Sequence, residues 1–155
     1  MIQTLNYTAE ELRSMISVDK KKGEKSAPVI IFDGKPVHEI LDAGLLTGEV
    51  FRSVKWRYDS KISFDVSNLG RVKYNGKILP QREESANSNG YLVVEVPSPY
   101  PVHVYKIVAD AWLEPPADKS KFEIHHISNN GYDNRPQNLI WVEKDIHKQI
   151  HDIAN

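Results

Sequence analysis

Between residues 50 and 105 the chain is cut so often by turn-forming residues that only short elements fit between them. Asn68 and Gly70, Asn75 and Gly76, and Asn87 and Gly90 mark the cuts. Asn and Gly tolerate the left-handed backbone that tight hairpins require. The runs between, at 62–66, 71–74, 91–96 and 102–105, are rich in Val, Ile, Tyr and Phe, residues that suit a pleated, half-buried surface. Short runs joined by such turns pair antiparallel, so this region predicts a small antiparallel sheet. A helix is expected over 106–113, where Ile107, Val108, Ala111 and Trp112 are apolar and Pro115 and Pro116 close it. Proline cannot continue a helix and biases the residue before it toward extended backbone.

The first 48 residues have a different texture. Thr8 and Glu11 form a capping box ahead of Leu12, Met15 and Ile16, predicting a helix over 8–18. A charged loop over 19–26 follows, then a short strand over 29–32, a turn at Asp33-Gly34, and helical spacing of Val37, Ile40, Leu41 and Leu45 ending at Gly44 and Gly48. No chemistry is legible here, and His38 reads as a packing or surface residue. The expected organisation is an extension over 1–48, a β module with its linking helix over 49–118, and a C-terminal unit over 119–155.

With 155 residues, 40% of them hydrophobic, the chain can build one real core. It contains no cysteine, which excludes disulfides and thiolate metal sites, so a metal centre must be made from His, Asp, Glu or Asn. A net charge of −1 argues against coating nucleic acid by charge alone. The charge is uneven, at −2 over 1–50, +3 over 51–112 and −2 over 113–155, which favours the middle as a nucleic-acid face. No run of about 18 apolar residues and no secretory signal is visible, so no membrane partner is expected and the expected compartment is the cytoplasm.

The last third reads as strand 122–127, polar loop 128–137, strand 139–142 and helix 144–153. Four of the six histidines fall in its 31 residues from 125 on. His125 and His126 are adjacent at a strand end and must point to opposite faces, so one can ligate while the other acts as a base. His147 and His151, four apart on the expected helix, share a face at the spacing by which helices offer two imidazoles to one metal ion. They flank the apolar stripe of Ile146, Ile150 and Ile153. The alternative is a set of surface histidines on an amphipathic terminal helix.

The segment FEIHHISNNGYDNRPQNLIWVEKDIHKQIH resembles the HNH motif of ββα-metal endonucleases. Upstream, EVFRSVKWRYDSKISFDVSNLGRVKYNGKIL is similar to the nuclease-associated module of phage and homing HNH enzymes, and GYLVVEV with VYKIVADAWLEPP to their linking part. The resemblance covers about residues 49–151 and is most specific at 66–72 and 133–139. It implies an α+β protein, a small antiparallel β module followed by a C-terminal ββα-metal fold, that cleaves double-stranded DNA; it names no oligomeric state. It implies His126 as general base, Asn138 as the brace of the loop, and His125, His147 and His151 as ligands of one divalent cation. Mg or Mn is expected for activity, with Zn, Ni and Co open given the imidazole-rich set. If the protein is phage-encoded, its compartment is the host cytoplasm.

Two departures stand out: Tyr105 and Lys106 occupy positions where the family usually has His and Arg. Candidate DNA contacts are Arg71, Lys73 and Lys77 along the expected hairpin, Asn134 and Arg135 in the loop, and Lys148 on the last helix. Trp112 and Trp141 read as core residues. The rival readings are a nuclease toxin or defence effector without sequence preference, and a non-catalytic DNA-binding module that keeps the fold.

Overall fold

The computed structural model describes residues 26–84, 90–96 and 101–145. The helix expected over 8–18 and most of that over 144–153 lie outside these residues. Strands β1 (Ile31–Phe32) and β2 (Lys35–Pro36) form a hairpin over Asp33 and Gly34, whose φ values of 50° and 78° are left-handed. The helix predicted from the spacing of Val37 to Leu45 does not form. A single 3₁₀ turn spans Val37–Glu39, and the chain then runs as a loop with Leu41 and Leu45 exposed. The carbonyls of Ile40, Asp42 and Gly44, which a helix would use internally, instead accept from the Arg71 guanidinium.

The β module is an antiparallel sheet in the order β3 (Phe51–Trp56), β4 (Asp59–Ser67), β5 (Val72–Tyr74), β6 (Lys77–Ile78). The turn between β5 and β6 uses Asn75 and Gly76, both at positive φ, as their residue types demand. A second antiparallel sheet joins β7 (Gln81–Glu83), β8 (Leu92–Glu95) and β9 (Pro101–His103). Helix α1 follows at once over Val104–Trp112, two residues earlier than its spacing suggests, and ends where Leu113 donates to the Ala109 carbonyl just before the prolines. The chain finishes in an antiparallel ribbon of β10 (Phe122–His126) and β11 (Leu139–Glu143), with a 3₁₀ turn over Pro136–Asn138 in the connecting loop.

These pieces close on α1. Its buried face carries Val104, Ile107, Val108, Ala111 and Trp112. One buried cluster unites them with Phe64, Val66 and Val72 of the first sheet, Leu92 and Val94 of the second, and Leu139 and Trp141 of the ribbon. Trp112 and Trp141 are core residues as expected, and the Trp112 indole donates to the Val66 carbonyl at 2.9 Å. No helix among the described residues is long and apolar enough to cross a membrane.

Candidate active site at the ribbon end

Period-two alternation splits the paired histidines. His126 lies opposite Leu139, and the next inward pair, Ile124 and Trp141, packs on the main core. His125 lies opposite Ile140 on the other face and is 2% exposed. The two imidazoles therefore serve different surroundings, as adjacent strand positions require.

The loop leaving His126 is closed by backbone and amide bonds. Ile127 donates to the Asn138 carbonyl at 2.7 Å, and Asn129, at a left-handed φ of 60°, donates to the His126 carbonyl at 2.9 Å. Asn138 ties the two limbs together. Its Oδ1 accepts from the Ser128 amide at 3.0 Å, while Nδ2 donates to Ser128 Oγ at 3.0 Å and to the Asp133 carbonyl at 2.8 Å. A buried side-chain amide used at both ends is suited to fixing a loop, because leaving any of these groups unmade is costly.

His126 is held on three sides. Its Nε2 lies 2.8 Å from Asn134 Oδ1, and its ring centroid is 5.6 Å from that of Tyr91 and 5.0 Å from that of Tyr105. His103, whose Nε2 meets Glu84 Oε2 at 2.9 Å, packs on Tyr105 at 5.2 Å and on Tyr91 at 5.9 Å. Burial raises the pKa of both phenols, that of Tyr105 to about 12, and neighbouring acidic groups add to the rise. Both stay neutral at physiological pH. The sequence marks Tyr105 as a departure but gives no hint that it packs on His126. Asn134, expected as a DNA contact, is buried and turned toward the imidazole.

The expected cationic contacts fare unequally. Arg71 does not face solvent: its side chain is 1% exposed, and all five of its N–H groups are used, by Glu49 and by the carbonyls of Ile40, Asp42 and Gly44. It cannot grip phosphate in this arrangement. Lys73 rests over the Phe51 ring at 4.2 Å and reaches the Ala43 carbonyl. Lys77 is exposed. Arg135 forks onto Asp133 at 2.8 and 2.7 Å, and that bond raises its pKa further. Lys148, His147 and His151 lie outside the described residues. Of the expected ligands only His125 is placed, and among the described residues no three His, Cys, Asp or Glu side chains are gathered to hold a metal ion.

The loop is also anchored to the start of the described chain. Asn130 exchanges two bonds with Ala27, at 3.3 and 2.8 Å, and the Gly131 amide donates to Ser26 Oγ at 3.0 Å. Gly131 sits where a Cβ would lie 2.5 Å from the Gly90 carbonyl oxygen, so no larger residue fits without a shift. Tyr132 donates to Glu83 and meets the His38 ring edge-on at 5.2 Å, giving His38 the packing role expected of it.

Neither a family model nor a curated protein matches the chain. A solved structure of the HNH homing endonuclease I-HmuI, on its DNA binding and cleavage, is similar at a TM-score of 0.47 and 22% identity. The match covers 59% of this chain and 54% of that one, so the chain spans about half the length of the endonuclease. A likeness this shallow does not fix an activity.

Proposed function

We propose that the chain is a DNA endonuclease of the HNH kind, of phage or homing type, hydrolysing phosphodiester bonds of double-stranded DNA with His126 as general base. The observation that carries this reading is the arrangement of His126 and Asn138 around one loop: an imidazole fixed at a ribbon end, and an amide bracing the loop that holds it. Imidazole suits the task because its ordinary pKa lies near neutrality. In this reading His126 takes the tautomer in which Nε2–H donates to Asn134 Oδ1, 2.8 Å away, so that Nδ1 would be the nitrogen to take the proton from the attacking water. Tyr91 and Tyr105 limit the ring's rotation and exclude solvent from its flank. The divalent cation implied by the resemblance would be held by His125 with His147 and His151 and, when bound, would offset the negative charge that develops on the phosphate.

The test is cleavage of a defined duplex with Mg or Mn, read on both strands. His126→Ala is expected to lower the rate by about 10²–10⁴-fold, the usual worth of a positioned base, while still melting cooperatively. If the variant cuts as well as the parent, the assignment of His126 is wrong. A parent that binds duplex and cuts under no metal is the non-catalytic module. Plasmids of unrelated sequence separate a site-specific enzyme, which gives discrete fragments, from a nuclease toxin, which gives a smear.

A further inference from the structure

A cleft of about 430 Å³ opens between α1 and the β10–β11 ribbon, lined in part by Tyr91 and Tyr105, the two rings that pack on His126. Three lysines from different elements border it: Lys106 on α1, Lys119 in the 3₁₀ turn Lys119–Lys121, and Lys144 just after β11. None of them makes an ion pair among the described residues. Arg57 also borders the cleft, but Asp110 forks it at 2.9 and 2.7 Å and answers its charge. Among the described residues that line the cleft, one carboxylate, Glu123, joins the three lysines. In a chain of net charge −1 this is a local concentration of positive charge, and charge of that kind in a concave site draws anions.

The remaining wall is apolar, made of the rings of Tyr91, Tyr105, Phe122 and Trp141 with Ile124 among them. Cations that make no ion pair among the described residues, set beside aromatic rings, are the chemistry that holds single-stranded nucleic acid, phosphate on the charges and base on the rings. The volume lies near the lower end of the roughly 300–1,000 Å³ typical of small-ligand sites. A space of that volume suits one nucleotide rather than a base pair still in its stack. Tyr91 and Tyr105 border this cleft on one side and pack on His126 on another, so a nucleotide held here is one aromatic ring away from the candidate base.

We infer that the cleft receives one unpaired nucleotide of the DNA strand that passes His126, its phosphate among Lys106, Lys119 and Lys144 and its base against the aromatic wall. The inference rests on the reading of the chain as a DNA enzyme and narrows it. The preferred substrate is a duplex with a bulged or gapped nucleotide, since an unpaired base enters such a pocket without the cost of unstacking.

The experiment is equilibrium binding by fluorescence anisotropy with the full chain in EDTA, using a labelled duplex, the same duplex with a one-nucleotide bulge, and the RNA copy of the bulged strand in the same hybrid. The bulged DNA duplex is expected to bind at least about 10-fold tighter than the intact one, stacking and phosphate contact together supplying the difference. Lys106→Ala with Lys119→Ala abolishes that preference, and the slope of log affinity against log salt falls by about 0.7–0.9 per lysine removed. Phe122→Leu, which keeps the position apolar, weakens the bulged duplex alone. Equal affinity for bulged and intact duplex, an unchanged preference in the double lysine variant, or tighter binding of the RNA hybrid overturns the inference. Because no cleavage is required, a protein that shows the preference but never cuts refutes the nuclease reading alone. A protein that cuts intact duplex without the preference refutes this one alone.

Discussion

Replacing Arg71 by Met separates two roles the residue can have. As a phosphate contact it would govern DNA affinity; as placed, it governs stability. Its guanidinium and the Glu49 carboxylate are 1% and 0% exposed, joined by a bond of 2.8 Å from Nε to Oε2 and a second from the terminal nitrogen. Three further N–H groups reach carbonyls at 3.1, 2.7 and 2.9 Å. Removing one partner of a buried pair leaves the other charge uncompensated, at a cost of about 3–5 kcal/mol. For a chain of this size that corresponds to a fall of roughly 10 °C in Tm. Adding Glu49→Gln removes the stranded charge yet keeps an oxygen for the Leu46 amide, which Glu49 Oε1 now accepts at 3.1 Å. The double variant should therefore recover about 2 kcal/mol relative to the sum of the singles, within the range found for contacting groups. Urea melts of parent, both singles and the double complete the cycle, with DNA affinity measured alongside at two salt concentrations. If Arg71→Met leaves the melting midpoint unchanged and instead lowers affinity and the salt slope, the buried assignment is wrong and the phosphate reading returns.

Three bonds of Asn138 make the next case: Asn138→Ala should destabilise by about 2–4 kcal/mol, the net worth of the bonds plus the desolvated groups left behind, and should lower cleavage beyond what lost folded protein accounts for, as read at a temperature where both proteins are fully folded. An unchanged rate there would show that the brace does not orient His126. The acid limb of stability follows from Glu49: burial raises its pKa, but the bonds from Arg71, the Leu46 amide and Ser67 outweigh that and hold it below 4.5. A lowered folded value means the unfolded chain binds the proton more readily, so this contribution is present above pH 4.5 and lost as pH falls through the folded value. Tm measured from pH 6 to pH 3 should fall less steeply in Glu49→Gln than in the parent, and parallel curves would contradict the assignment.

What the sequence revealed depended on how local the cause was. The turn at Asn75-Gly76 and the opposite facing of His125 and His126 follow from backbone rules that act over two residues, and both are present in the fold. Strand β3 escaped notice because an arginine sits on its inward side. Arg52 shares a face with Val54 and Trp56, and its guanidinium lies over the Trp112 ring at 4.0 Å, so a charged residue fills a position that a binary pattern reads as outward. The helix expected from Val37 to Leu45 failed for the converse reason, since apolar spacing counts only where a face exists to bury it. The contact of Asn134 with His126 joins residues eight apart across a loop whose path decides it, and has no local signature.

The string at 66–72 carries the strongest part of the resemblance in the β module, and its geometry gives it a structural task. Ser67 Oγ accepts from the Leu69 and Arg71 amides at 3.1 and 3.0 Å, and the Ser67 amide donates to the Arg71 carbonyl, so the turn folds on itself. Gly70 takes a φ of +90° there, and a Cβ at that point would stand 3.3 Å from the Asn134 Cβ. A side chain at position 70 would thus carry backbone strain and press on the residue that holds His126. On the other side of the same turn Arg71 grips the loop from Ile40 to Gly44. These seven residues, of which Arg71 is expected from the sequence to contact DNA, form a bracket between the N-terminal stretch and the His126 loop. Their specific pattern is explained by what must fit on both sides of it: glycine toward Asn134, arginine toward Glu49, and serine to fix the turn between.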